Sequence, residues 1–327
     1  MNHRKIAELA HVSTSTVSKA LSGSKEISHE LSEQIRQIAL ETGYFSEKNK
    51  RKLSNKRNKQ VQIAVICPEI ISIHYSKIVT LLKSFIEERD GRLAVYIDDF
   101  DSSKREQIID SLVMDDITDG IILVASAIIN RNFGIPVVWF DAGRSNSSFD
   151  SIGTDCNKVM YDCVKHLYDL GHRKIGFIGE MKTISKELRF KRTMQEFGLE
   201  VNDRYIYKID KRFEFIGNEA AKCIIASDRR PTAFITAYDE IAVSLIYELE
   251  RAGIRVPQDI SVLGMNDIPL APYIKSSLTT VRFFFDEQAA LAVDILYDKI
   301  FESSDNIQHL VIKHELIIRD STGTLKS

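Results

Sequence analysis

A chain of 327 residues is too long to fold around one hydrophobic core, so its length predicts two or three domains. Hydrophobic residues make up 44% of it and charged residues 28%, which is typical of a globular protein. No apolar run approaches the ~18 residues that a membrane helix needs, and the first ten residues lack the apolar stretch of a secretory signal. The sequence therefore predicts a protein without membrane contact that stays in the cytoplasm.

Charge is distributed unevenly along the chain. Residues 1–60 contain 12 Lys and Arg against 6 Asp and Glu, a net charge of +6, which leaves −8 for the rest of a chain whose total is −2. A basic segment ahead of an acidic body predicts that only the first segment meets a polyanion.

The segment from Ile6 to Leu21 has the pattern of two short helices joined by a turn, with Ser13 placed to cap the second helix. The outer face of that second helix carries small hydroxyl groups and one cation, at Thr14, Ser15, Thr16, Ser18 and Lys19. A core helix rarely presents four hydroxyls in six residues, whereas a helix that enters a DNA groove uses such groups on phosphates and base edges. The pattern is that of a helix-turn-helix.

A third helix follows Ser28 and ends at Gly43, with apolar positions at Leu31, Ile35, Ile38 and Ala39. Three short helices predict an all-α DNA-binding head over residues 1–45. Residues 46–60 are basic and polar, which predicts a hinge or linker. Residues 61–327 form the body.

Short apolar segments alternate with helical patterns throughout the body. The predicted strands are 62–67, 93–97, 120–124, 137–140, 174–178, 233–236, 261–263 and 278–281, and the predicted helices include 77–88, 159–170, 216–226, 240–252 and 286–301. This alternation predicts an α/β body of two doubly wound lobes with parallel sheets and a cleft between them. Ligands in such folds bind at the carboxyl ends of the strands.

Motifs for catalysis or metal binding are absent from the sequence. Glycines 171, 176 and 179 flank a strand and do not form a dinucleotide fingerprint. His166 and His172 have no Cys or carboxylate companion at ligand spacing, which favours structural roles. The four cysteines, Cys67, Cys156, Cys163 and Cys223, form no CxxC pair and lie in apolar patterns, which predicts buried free thiols. We therefore predict no enzyme, no cofactor and no metal.

The run IAELAHVSTSTVSKALSG, with the third helix and Gly43-Tyr44 after it, resembles the DNA-binding head of the lactose/galactose repressor family. The resemblance implies that the partner is double-stranded operator DNA. It further implies that Thr14, Ser15 and Lys19 read bases and that Thr16 and Ser18 contact phosphates.

Relatives in this family continue into a hinge helix that inserts a Leu into the minor groove. Arg51 and Leu53 match that pattern, whereas Ser46, Glu47 and Lys50 depart from it. Two lysines facing each other across a dimer axis would repel. Two interpretations therefore stay open: a hinge that uses Arg51 and Leu53 on DNA, or a flexible cationic linker that adds only non-specific attraction.

The body resembles the sugar-binding core of the same family, through the runs 166–179, 256–271 and 277–281. Within the family, Asn266 to Pro269 and Trp139 to Ala142 are most similar to repressors of β-galactoside and galactose operons. The resemblance implies that a small galactoside-like sugar is bound by Tyr75, Asp141, Arg189, Phe213, Tyr238, Asn266 and Phe285. The guanidinium of an arginine and the amide of an asparagine can hydrogen-bond to hydroxyl groups, and aromatic rings can stack on the C–H face of a sugar.

Each of these residues also has a structural interpretation. Asp141 could cap a helix, Arg189 could pair with Glu187 or Glu196, and Phe213 and Phe285 could belong to the core. Tyr238 stands where many relatives carry Asn.

Paired heads are needed to read an operator tightly, so we predict a homodimer. The apolar faces of helices 77–88 and the helix from residue 286 are its predicted contacts. The resemblance implies a repressor of a sugar-utilisation operon, in which the sugar reorients the lobes and so changes operator affinity. The alternative is a catabolite-control regulator of the same fold whose co-effector is a phosphorylated carrier protein. That alternative predicts a basic patch on the body, whereas the body is acidic.

Overall fold

The structure is a computed structural model that describes residues 3–21, 24, 26–44, 60–124, 133–140, 149–302 and 306–325. It divides into two compact units, one of residues 1–153 with 285–311 and one of residues 154–284 with 312–327. Within the described residues, no helix is both long and apolar enough to cross a membrane.

The first 44 residues form three helices, α1 (His3–Leu9), α2 (Thr14–Leu21) and α3 (His29–Glu41). The turn between α1 and α2 passes through His11 at a φ of +52°. The side chain of Ser13 accepts a hydrogen bond from the backbone N–H of Thr16 (3.1 Å), as the predicted cap requires. Small and branched apolar residues fill the space between the helices, with Ile6, Ala7, Ala10, Val17, Ala20, Ile35 and Ala39 buried.

The first unit also contains a six-stranded sheet. Its elements are β1 (Gln62–Cys67), α4 (Ile73–Glu87), β2 (Arg92–Ile97), α5 (Ser102–Met114), β3 (Gly120–Val124), β4 (Val137–Phe140), β5 (Asp150–Thr154), α10 (Phe285–Phe301) and β11 (His309–Ile312). The strand order is β2-β1-β3-β4-β5-β11, and β1 to β5 run parallel. Strands β1, β3 and β4 are almost wholly apolar and buried, as expected of a sheet covered on both faces.

The second unit repeats this plan. Its elements are α6 (Cys156–Asp169), β6 (Ile175–Gly179), α7 (Ile184–Glu196), β7 (Ile206–Lys208), α8 (Glu214–Ala226), β8 (Ala233–Thr236), α9 (Asp239–Arg251), β9 (Ser261–Met265), β10 (Thr279–Phe283) and β12 (His314–Ile317), with short 3₁₀ turns at Met181–Thr183 and Asp203–Tyr205. The strand order is β7-β6-β8-β9-β10-β12. Only the pairing of β10 with β12 is antiparallel among its described strand pairs.

The predicted all-α head and α/β body with two parallel-sheet lobes are confirmed. Strands β1, β3, β4 and β8 have the predicted bounds. Strands β5, β7, β11 and β12 were not predicted, and α5 and α7 were not among the helices named from the sequence. Strand β5 reads DSIGT, so its buried position is not visible in its composition. Only one side of helix α7 packs inward, so most of its residues are charged or polar and its apolar pattern is weak.

Helices α4 and α10, which were predicted to contact a second subunit, pack against each other within the first unit, and an Arg89–Asp294 ion pair links them. Their role in a dimer stays a prediction. One further expectation is wrong. Cys223 was predicted to be buried, but it is exposed on α8 and Cys156 is half-buried; Cys67 and Cys163 are buried free thiols.

His166 and His172 have structural roles, as predicted. His172 contacts Thr232 (2.9 Å), Ser261 (3.0 Å) and the carbonyl of Gly323 (3.0 Å), and His166 contacts Thr322 (2.9 Å). These bonds hold the segment around Thr322 and Gly323 against the rest of the second unit. Burial lowers the pKa of both imidazoles, which favours the neutral form.

Candidate DNA-binding and effector sites

The outer face of α2 is available to a ligand. Thr14, Ser15, Ser18 and Lys19 are exposed, while Val17 and Ala20 on the opposite face are buried. Thr16 is half-buried, and its hydroxyl lies 2.8 Å from the hydroxyl of Ser13. The helix therefore presents short hydroxyls and one cation outward, while its apolar face is buried against the other helices.

Lys19 is positioned by an ion pair with Glu26, which lies in the turn before α3. This pair is exposed, so an approaching phosphate or base edge can compete for the ammonium group at little cost. At the other end of the head, the side chains of His3 and Tyr44 are hydrogen-bonded (2.7 Å). Arg51 and Leu53, the predicted hinge contacts, lie outside the described residues.

In the second unit, polar side chains follow the carboxyl ends of several strands. The chain leaves β6 for β7 on one side and returns to β8 on the other side, so β6 and β8 flank the switch point of the sheet. Glu180 follows β6 and Tyr238 follows β8. Arg212 and Phe213 follow β7, and Asn266 follows β9. We call this region the second-sheet edge.

A closed hydrogen-bond network lies at the switch point. The buried Glu180 carboxylate accepts from the Tyr238 hydroxyl (3.0 Å) and from Arg212 Nε (3.1 Å). The Tyr238 oxygen in turn accepts from the backbone N–H of Phe213 (3.0 Å). Burial raises the pKa of Tyr238 well above its ordinary value, so its hydroxyl stays protonated and can donate.

The network supports an unusual backbone at Phe213. This residue has a φ of +57°, a conformation that L side chains rarely adopt and that costs about 1–3 kcal/mol. The Arg212 guanidinium lies 4.6 Å from the centre of the Phe213 ring. Phe213 is half-buried and packs against the core of the second unit, as its core interpretation predicts. Its role at an effector site stays a prediction.

The loop after β9 is held by a buried carboxylate. Asn266 and Asp267 have φ values of +111° and +47°. Asp239 is fully buried and accepts from the backbone N–H of Ile268 (2.9 Å) and from the Thr280 hydroxyl (2.6 Å). Burial raises the pKa of Asp239 to about 7, and the hydrogen bonds from Thr280 and Ile268 offset this only in part.

Asp267, unlike Asp239, has two cationic partners. It accepts from Arg282 (2.7 Å) and Arg319 (2.7 Å). Burial raises its pKa, but the hydrogen bonds from these two arginines outweigh burial and hold the pKa below its ordinary value. The neighbouring Asn266 keeps one buried atom, Oδ1, without a partner among the described residues.

Arg189 lies on the second turn of α7, and its side chain is half-buried. Its guanidinium forms no hydrogen bond or ion pair with any residue that the structure describes. The expected alternative partners are occupied, Glu187 by Lys191 (3.2 Å) and Lys208 (3.1 Å), and Glu196 by Arg192 (3.1 Å). The structure thus brings Arg189, Phe213, Tyr238 and Asn266 into one unit.

The other predicted effector residues belong to the first unit. Tyr75 packs edge-on against Phe100 (6.0 Å between ring centres) and against His74 (4.8 Å). Phe285 is buried beneath His74 (5.1 Å), which matches its core interpretation more closely than an open ring surface. Asp141 lies outside the described residues.

Beside this aromatic group, β2 ends at a buried ion pair. Asp98 is fully buried, and its carboxylate accepts from Arg105 Nε (2.6 Å) and from the backbone N–H of Phe100 (2.9 Å). One terminal nitrogen of Arg105, Nη1, has no partner among the described residues. Asp101 caps α5, so this acidic segment forms the loop between β2 and α5.

Sequence reasoning missed Glu180 and the roles of Arg212 and Asp239. A Glu directly after an apolar strand, followed by Thr183 three residues later, is a local signal for a capping box, which the structure contains. Its bond to Tyr238 joins residues 58 apart in the chain, so no local pattern could have revealed it.

Two family models match the chain. Residues 4–47 match the model of bacterial regulatory proteins of the lacI family, and residues 164–322 match a periplasmic binding protein-like domain.

Similar proteins span its whole length. The ribose operon repressor of Haemophilus influenzae is 28% identical over 99% of both chains. The HTH-type transcriptional repressor PurR of Photobacterium profundum is 28% identical over 98% of both. A solved complex of the transcriptional regulator CelR with cellobiose shares the fold with a TM-score of 0.68 at 19% identity, covering 98% of this chain and 99% of that one.

These matches agree with the exposed α2 surface and the two parallel-sheet units. They identify a DNA-binding regulatory protein rather than an enzyme. Residues 4–47 thus match the DNA-binding domain of the lacI family of bacterial regulatory proteins, and residues 164–322 match a periplasmic binding protein-like domain.

Proposed function

We propose that this protein is a transcriptional repressor of a sugar-utilisation operon and that a small hydroxylated effector at the second-sheet edge controls its affinity for operator DNA. The observation that carries the DNA-binding part is the outer face of α2, where Thr14, Ser15, Ser18 and Lys19 are exposed on a helix whose other face is buried. Such a helix can enter the major groove without exposing apolar surface.

Within the head, we assign base contacts to Thr14, Ser15 and Lys19 and backbone phosphate contacts to Thr16 and Ser18. Short hydroxyls accept or donate to several bases, so Lys19 is the main discriminating group. Arg51 and Leu53 remain proposed contacts of the hinge.

Operator selection tests this assignment. Full-length protein is used to enrich binding sites from random DNA, and the affinity for the enriched site is measured by fluorescence anisotropy at several salt concentrations. Lys19→Ala should weaken binding about 10- to 100-fold, since one good base contact is worth about 1–3 kcal/mol.

The matched control is Lys222→Ala, which removes the same charge from an exposed position on α8. It should leave operator affinity unchanged. Equal loss in both variants, or no enriched sequence, would contradict the assignment of α2 as the reading helix.

The effector part rests on the second-sheet edge. Asn266 there has a buried oxygen without a partner among the described residues, and Phe213 offers a partly exposed aromatic surface. Arg189, on α7 of the same unit, forms no hydrogen bond or ion pair with a described residue and is a further proposed contact. This set suits a polyol, and we keep a galactoside-like sugar as the first candidate. Tyr75, Asp141 and Phe285 remain proposed contacts from the first unit.

The related proteins broaden the choice of ligand. One relative is named a ribose operon repressor and one solved neighbour is bound to cellobiose. Ribose, glucose and cellobiose therefore belong in the screen alongside galactosides.

A homodimer is the assembly we propose, because a single small head buries too little DNA surface for tight specific binding. Light scattering after size exclusion should give twice the 37.2 kDa mass of the chain. A monomer at micromolar concentration that still binds one symmetric operator site would contradict this.

A thermal-shift screen with galactose, lactose, ribose, glucose, cellobiose and purines tests the effector part. A ligand at 100-fold excess over its Kd adds about 2.7 kcal/mol of stability, which is a readable shift. A hit lost in Arg189→Ala supports the second-sheet edge. If no small molecule binds, the catabolite-control alternative with a protein co-effector is favoured instead.

A further inference from the structure

Glu26 places an exposed carboxylate beside the outer face of α2. Its side chain is 68% exposed and accepts a hydrogen bond from the ammonium group of Lys19, whose side chain is 49% exposed. DNA presents closely spaced phosphate charges to any helix in its groove, so a carboxylate at this place weakens the attraction to DNA of every sequence. Any favourable contact that Glu26 makes with DNA must therefore come from the bases.

The turn between α2 and α3 fixes the position of Glu26. The backbone N–H of Ser24 donates to the carbonyl of Lys19 (3.0 Å), and the hydroxyl of Ser24 accepts from the backbone N–H of Glu26 (3.3 Å). The next residue, Ile27, is half-buried and packs against buried apolar residues. These contacts keep the carboxylate close to the last turn of α2.

Lys19 and Glu26 have complementary hydrogen-bonding roles. The hydrogen bond from Lys19 and the charge of its ammonium group lower the pKa of Glu26, so this side chain is ionised at neutral pH and only accepts. The ammonium group of Lys19 only donates. Together they offer one donor and one acceptor side by side, both open to solvent.

A G·C base pair presents the matching pattern in the major groove. N7 and O6 of guanine accept, and N4 of the paired cytosine, which lies next to O6, donates. An A·T pair also has an acceptor beside a donor, but it does not give the ammonium group two adjacent acceptors. The two side chains therefore fit a G·C pair better than an A·T pair.

We propose that Lys19 and Glu26 together read one G·C base pair, which makes Glu26 a specificity-determining residue of this DNA-binding surface. Lys19 donates to N7 and O6 of guanine, and Glu26 accepts from N4 of the paired cytosine. At other sequences Glu26 contributes only its repulsion from the phosphates, so it discriminates against them. This role rests on the proposed reading of DNA by α2.

The test uses full-length protein and the operator selected from random DNA. Each base pair of the operator is replaced in turn, and affinities for these duplexes and for a random-sequence duplex are measured by fluorescence anisotropy. In native protein, replacing one G·C pair of each half-site should weaken binding about 10-fold or more, as expected for a good base contact. In Glu26→Ala the loss at that base pair should be at least about 3-fold smaller, and the random duplex should bind about 2-fold or more tightly.

Three further variants make the test specific. Glu33→Ala removes the same charge from an exposed pair with Arg36 on α3 (3.5 Å) and should keep the native loss at every base pair. Glu26→Gln keeps an oxygen acceptor and should retain part of the preference for the G·C pair. Lys19→Ala should reduce the loss at the same base pair as Glu26→Ala does.

The inference is overturned if Glu26→Ala keeps the native loss at every base pair, or if Glu33→Ala changes these losses equally. It is also overturned if Glu26→Ala and Lys19→Ala affect different base pairs, or if the affected pair is A·T. In all these cases the proposed function stands. If Lys19→Ala also keeps every native loss, or no sequence is enriched, the assignment of α2 as the reading helix fails together with the inference.

Discussion

Each of the two sheets has an arginine on a helix that follows one of its strands, and the two arginines differ in whether a carboxylate neutralises them. In the first unit, Arg105 of α5 is buried and neutralised by Asp98 at 2.6 Å. In the second unit, Arg189 of α7 is half-buried and no described residue neutralises it. The first arrangement is complete without a ligand, whereas the second has binding capacity left over. Similar folds can thus be distinguished by which polar groups remain unsatisfied.

Breaking the Asp98–Arg105 ion pair should have the largest effect on stability. Asp98→Ala leaves the Arg105 charge buried without a counter-ion, which should destabilise the protein by about 3–5 kcal/mol. Urea denaturation measures this directly. Replacing both residues by apolar side chains should cost less than the single change. A single variant within 0.5 kcal/mol of the native stability would show that water reaches the pair.

A second prediction concerns pH and the buried Asp239, whose pKa is raised to about 7 from an ordinary 3.8. Between these values the folded protein holds a proton that the unfolded chain has lost, so stability should fall as pH rises from about 4 to 7. One such group changes stability by at most about 1.4 kcal/mol per pH unit.

Asp239→Asn is the variant for this test. Denaturation between pH 5 and 7 should show that the variant lacks part of the native decline with pH, whatever its absolute stability. Asp267→Asn is the control: the pKa of Asp267 is lowered from an ordinary 3.8, so its contribution is lost only at pH values below about 4, and this variant should keep the native slope between pH 5 and 7. Identical pH slopes in native protein and Asp239→Asn would contradict the assigned ionisation.

The network at the second-sheet edge gives a smaller effect. Tyr238→Phe removes the hydroxyl that joins Glu180 to the Phe213 backbone, and should cost about 1–3 kcal/mol by leaving a buried donor unsatisfied. Thermal denaturation reports the loss. Tyr247→Phe, at an exposed tyrosine of α9, should be neutral. An equally neutral Tyr238→Phe would mean that water replaces the hydroxyl.

The smallest expected effect on stability is that of Arg189→Gln. Because the guanidinium has no partner among the described residues, its removal should change the free energy of unfolding by less than about 0.5 kcal/mol. This result, set beside that for Asp98→Ala, would sharpen the contrast between the two arginines. A loss above about 2 kcal/mol would reveal a structural role for Arg189 instead.

Periodicity and motif spacing predicted the head and most strands, since these follow from local patterns. The helix containing Arg189 was missed because its charged composition hides a narrow apolar side. The pairing of α4 with α10 was also missed, because residues about 200 apart along the chain meet there. The bond between Glu180 and Tyr238 was missed for the same reason, because these residues are 58 apart in the chain. A sequence indicates which groups can bond but not which of them are already bonded.

The most direct test of the account measures operator affinity with and without effector. Fluorescence anisotropy on the selected operator would be run for native protein and Arg189→Gln, using the ligand that gives the largest thermal shift. The account predicts that saturating ligand changes the operator Kd of native protein by about 10-fold or more and leaves that of Arg189→Gln unchanged. An equal change in both proteins, or a bound ligand that leaves the operator Kd of native protein unaltered, would contradict it.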